Sequence, residues 1–120
     1  MATTANEASH RQEGVLGFLD FPHDLTAQSR DSVHRAFSVL SRSPIRALCL
    51  NFEYTSYINS SGIEVLVALV EQALAAGVAV FAYGVSREFR GLFGMVSLTE
   101  HMAIVADERE ARLRAAATVR

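Results

Sequence analysis

Two short and nearly unbroken apolar runs, Ala47 to Phe52 and Val78 to Tyr83, flank one amphipathic helical segment, and this arrangement constrains the fold more than anything else in the chain. A strand that is apolar on both sides of its pleat must be covered on both faces. Two such strands joined through a helix pair in parallel, by a right-handed crossover. The helix between them carries its own start and stop signals. Ser61-Gly62-Ile63-Glu64 reads as a capping box, with Ser61 at the N-cap and Glu64 three positions on. Gly77 stands where a helix ends in a left-handed residue. Between these ends, Ile63, Leu66, Val67, Val70 and Leu74 form the predicted buried stripe, and Glu64, Ala68, Glu71, Gln72 and Ala75 the solvated one.

The flanking sequence repeats the alternation. Gly14 to Leu19 reads as a short strand interrupted by Gly17 and ended by Pro22. A helix capped by Asp24 or Thr26 follows, with Val33, Ala36, Phe37 and Leu40 on one face and Arg30, Asp31, His34, Arg35 and Ser38 on the other. Pro44 separates it from the next strand. Beyond Gly84, Ser86 caps a helix carrying Phe89, Leu92, Phe93 and Val96 at helical spacing, of which Phe89, Leu92 and Phe93 are expected in the core; Gly91 and Gly94 weaken that helix by roughly 1 kcal/mol each relative to Ala. Met102 to Val105 gives a last strand. Asp107 and Glu110 then open a terminal helix rich in Ala and Arg, whose Arg109, Arg112 and Arg114 read as a solvated face. Residues 1–13 read as a poorly ordered lead-in, because Ala8 to Gln12 are poor strand formers. The expectation is one α/β domain over 14–120, a mixed, largely parallel sheet flanked by about four helices.

Charge and composition narrow the function classes. The net charge is −2 and no block of Lys or Arg tracks a phosphate backbone, which demotes nucleic-acid binding. The lone Cys49 lies inside an apolar run, so it reads as a buried structural thiol. His10, His23, His34 and His101 show no metal-ligand spacing, and no phosphate-binding loop is present, so neither metal nor cofactor is expected. No apolar stretch approaches the roughly 18 residues of a membrane span, and the polar N-terminus has no signal core; a soluble, cytoplasmic protein without membrane insertion is expected. Neither Ser60 nor Ser61 has the two glycines of a nucleophile elbow, so an enzyme is not expected.

Interest falls on the junction Tyr57-Ile58-Asn59-Ser60-Ser61-Gly62-Ile63, where a buried strand leads through a polar loop into the capped helix. Loops at the carboxyl ends of strands are where open α/β sheets meet ligands and partners. From the residues alone, Ser60 reads as a loop residue and Ser61 as the cap; Tyr54 and Tyr57 read equally well as partner anchors or as inward-folding side chains. In its strand–loop–helix frame, Asn59-Ser60-Ser61-Gly62-Ile63-Glu64-Val65-Leu66 resembles the signature of STAS domains and bacterial anti-sigma factor antagonists, Asp-Ser-Ser-Gly-Leu followed by an apolar helix. Gly17-Phe18-Leu19-Asp20 and Leu98-Thr99 resemble further parts of that family's pattern, over roughly Gly14 to Ala117.

The resemblance implies a non-enzymatic regulator whose partner is an anti-sigma factor that is also a serine kinase of ATPase fold. It implies Ser60 as the phosphoacceptor. Asn59 stands where the family usually has Asp and is expected to shape the turn. The expected binding surface is Tyr54, Tyr57, Asn59, Ser60, Ser61, Glu64, Ala68 and Glu71. The same family also supplies accessory subunits of transport systems and stress-signalling scaffolds, so a transporter or scaffold subunit is the alternative partner.

Overall fold

The two apolar runs are the adjacent central strands β4 (Ala47–Asn51) and β6 (Ala79–Tyr83), paired in parallel with Cys49 opposite Phe81. The computed structural model describes residues 6–119. Around the central pair the sheet adds β2 (Leu16–Asp20) and β7 (Ala103–Ile104), both parallel, and then β1 (Ser9–Glu13), antiparallel to β2. The order is β1-β2-β4-β6-β7. A two-stranded ladder of β3 (Asp24–Leu25) and β5 (Tyr57–Ile58) stands apart from the main sheet. The helices are α1 (Arg30–Ser41), α2 (Ser60–Ala75), α3 (Arg87–Met95) and α4 (Glu108–Thr118).

The pleat divides the core in two. Leu19, Leu48, Leu50, Val80 and Ala82 point to one side, where they pack with Val33, Phe37 and Leu40 of α1, Leu66 and Val70 of α2, and Phe93 of α3. Phe18, Cys49, Phe81 and Tyr83 point to the other, against Ala111 and Ala115 of α4. Phe52 closes the first side by stacking on Phe21 at 4.5 Å between ring centroids.

Two expectations are corrected. The chain is already ordered at Ser9, because a two-residue loop, with Gly14 at φ 61°, turns Ser9–Glu13 back along β2. Its five residues are all exposed, so the strand carries no apolar alternation and is held by backbone pairing at the sheet edge. Residues 1–5 of the expected lead-in lie outside the described residues. The second correction is the register of α2. Its buried residues are Gly62, Val65, Leu66, Leu69, Val70 and Ala73, whereas Ile63 and Val67 are half-buried and Leu74 is exposed. The remaining caps fall where the residues place them: Thr26 opens a 3₁₀ turn before α1, Ser86 caps α3, and Asp107 caps α4.

Candidate functional site

The loop after β4 is fastened at every step. Asn51, nearly buried, donates through its amide to Asp20 Oδ1 at 2.9 Å and accepts from the Glu53 N–H at 2.8 Å. The Thr55 hydroxyl donates to the Pro22 carbonyl at 2.8 Å, and the Ser56 N–H donates to the His23 carbonyl at 2.9 Å. β5 then pairs with β3, placing Tyr57 opposite Asp24 and Ile58 opposite Leu25. Behind the loop, Gly84 takes φ 72°, and a Cβ there would come within 2.7 Å of the Glu53 nitrogen. That approach leaves room only for glycine.

Asn59, not Ser61, is the N-cap of α2: its Oδ1 accepts the Gly62 N–H at 2.8 Å, and Ser60 is the first helical residue. The sequence accommodates either register. The choice is made by tertiary contact, since a Cβ on Gly62 would run into the Leu25 carbonyl oxygen and only the observed register seats glycine there. Asn caps about as well as Asp, so the turn needs no carboxylate.

The structure places Tyr54 and Tyr57 outward, 63% and 52% exposed, so neither folds inward onto the sheet. Ser60 is exposed, and its hydroxyl makes no hydrogen bond among the described residues; Asn59 and Ser61 are half-buried. Ser60, Glu64 and Ala68 share one stripe of α2 and are all exposed. Glu64 and Ala68 line a groove of about 500 Å³ between α1 and α2, floored by Val33, Val65 and Leu69 and faced across by Arg30 and His34. Glu71 belongs elsewhere. It lines a second groove, of about 370 Å³, with Val67, Leu74, Val96 and His101. α2 is therefore a ridge between two grooves, and the expected surface is split across it. The α1 side of the first groove was legible only as a polar helix face; nothing in the spacing ties Arg30 and His34 to Glu64.

Ser56, His23 and Asp24 form an array that the sequence does not announce. Ser56 Oγ lies 2.8 Å from His23 Nε2, and Asp24 Oδ1 lies 2.9 Å from His23 Nδ1. The same hydroxyl is also 3.4 Å from Nδ1, so it sits beside the ring and off the Nε2 lone-pair axis. A general base must accept a proton along that axis, and here Ser56 and His23 are open to water and Asp24 is half-buried. The array fastens the loop to β3. Cys49 is buried as expected, and burial pushes its thiol up to about 11. Arg112 departs from its expected solvated role, being paired with Glu13 and Glu108. No helix among the described residues is long and apolar enough to cross a membrane.

A mixed sheet with helices on both faces, and a fastened loop presenting an exposed serine at a helix N-terminus, define a small α/β domain. The chain belongs to the STAS domain family, whose model matches residues 8–111. Among solved structures, the unphosphorylated anti-sigma factor antagonist SpoIIAA is similar at a TM-score of 0.71 and 16% identity, over 89% of this chain and 96% of that one. A serine-to-glutamate variant of RsbS from Moorella thermoacetica is similar at a TM-score of 0.79 and 12% identity, over 92% and 98%. The murine anion transporter solute carrier 26 family member A9 is similar at a TM-score of 0.75 and 13% identity, over 93% of this chain but 22% of that one. Identities this low speak to the fold alone. No curated protein sequence matches the chain significantly.

Proposed function

We propose that this STAS domain is a non-enzymatic regulator that binds an anti-sigma factor of ATPase fold, itself a serine kinase, and is switched by phosphorylation of Ser60. The observation that carries the reading is Ser60 itself: exposed, at the first position of α2, on a loop fastened to β3. The free N–H groups and positive dipole end of the helix tolerate about −1.5 to −2 added charges, so modification leaves the fold intact. A partner pressed against Tyr57, Ser60 and Glu64 meets that charge directly, and binding is lost. The similarity to SpoIIAA, whose phosphorylated form is also similar in fold, supports this choice of partner. The similarity to the anion transporter supports the other reading, docking to a transport subunit.

Affinity capture of the tagged chain from its own cell, with peptide-level mass spectrometry of the bait, tests both. An ATPase-fold anti-sigma protein together with a phosphate mapped to Ser60 is the expected result. A transporter component with Ser60 unmodified overturns the switch and keeps the fold.

A further inference from the structure

α4 packs on β4 and β6 through small side chains. It buries only Ala111 and Ala115, and its one large apolar side chain, Leu113, is 63% exposed. An isolated helix of this length is marginal in water, so docking must come from elsewhere. Part of it comes from the apolar strip that α4 covers, and part from charge. Arg112 donates to Glu13 on β1 and to Glu108 one turn back, and its guanidinium lies 4.6 Å from the Phe18 ring centroid. Arg11, from β1, bridges Glu13 at 2.9 Å and Glu108 at 3.0 Å, and lies 4.3 Å from the centroid of the same ring. The Tyr83 hydroxyl donates to Glu108 at 3.3 Å. All four charged side chains keep 34–46% of their surface in water, so salt screens them.

What α4 covers is a separate apolar cluster, with Phe18, Cys49, Phe81 and Tyr83 at its centre. The hydrogen bonds of the sheet and the packing of α1, α2 and α3 lie on other strand edges and on the opposite face, and do not depend on α4. We infer that α4 is an electrostatically latched cover that undocks as a unit while the rest of the domain stays folded, opening Cys49 and the Phe18–Phe81 strip to solvent. Sub-global opening of one element costs less free energy than global unfolding. Cys49 is inaccessible when α4 is docked, and so reports the opening directly.

The test is labelling of Cys49 in the full chain with a small maleimide at neutral pH, with hydrogen exchange measured on the same sample. Raising sodium chloride from about 0.1 to about 1 M shortens the screening length roughly threefold, and labelling is expected to accelerate about tenfold. Amides of α4 lose protection in step, while those of β4 and α2 keep theirs. Arg112→Ala produces the same acceleration at low salt, and Leu113→Ala, at an exposed position, does not. Labelling that is independent of salt, or α4 and β4 amides that exchange together, overturns the latch. If Arg112→Ala does not fold, the salt series on the unaltered chain decides alone.

Discussion

The two faces of one sheet are held by different physics. Toward α1, α2 and α3 the strands present leucines and valines that interlock with Phe37, Leu66 and Phe93, all buried. Toward α4 they present aromatic rings and a cysteine, met by two alanines and a ring of charge. The difference teaches that one strand serves two regimes at once, because its side chains alternate between faces. Both faces bury apolar side chains, and the α4 face adds the exposed ion pairs on which salt and acid are expected to act.

The largest effect belongs to the leucine face. Leu66→Ala removes a fully buried side chain and is expected to cost about 2–5 kcal/mol in urea unfolding. Next is Gly62→Ala, which forces a methyl group against the Leu25 carbonyl oxygen and is expected to cost about 1–3 kcal/mol, with exchange protection lost at β3 and β5. Arg112→Ala tests the other face. Its cost to global stability is expected to stay near about 1 kcal/mol, because exposed ion pairs are weak; a loss as large as that of Leu66→Ala would break the contrast between the faces.

Acid sharpens the contrast further. Hydrogen bonds from Arg112 hold the Glu13 and Glu108 carboxyls below their ordinary 4.5, with Arg11 adding to the effect. Folded values below unfolded ones mean that these groups stabilise the docked helix in full above about pH 4.5. That contribution is lost as pH falls through the lowered folded values, so hydrogen exchange is expected to show α4 released before β4. Smallest in stability is Ser60→Asp, expected to shift the unfolding free energy by less than about 0.5 kcal/mol while abolishing capture of the partner. A large loss of stability there would make Ser60 structural.

How much of this was legible follows the same division. β4, β6 and α2 were readable because apolar runs and helix punctuation agree with one another. The STAS resemblance was readable because the Ser60-Ser61-Gly62 tripeptide sits at that strand-to-helix junction. β1 was not legible: Ser9-His10-Arg11-Gln12-Glu13 contains no apolar residue, and what makes it a strand is the backbone of β2. The cap of α2 was misread by two positions, since Asn59 and Ser61 both satisfy local rules and only the contact of Gly62 with Leu25 separates them. Arg112 read as solvated because the sequence distance to Glu13 hides their pairing.

The contact at Gly62 has one further consequence. The first turn of α2 lies backbone against backbone on β3, with no side chain between them to repack. A helix seated in this way has no intermediate positions to slide through, so a charge added at Ser60 finds no lever beneath it. The domain is then a fixed display: whatever is written on Ser60 must be read by contact, from outside, by something that touches it.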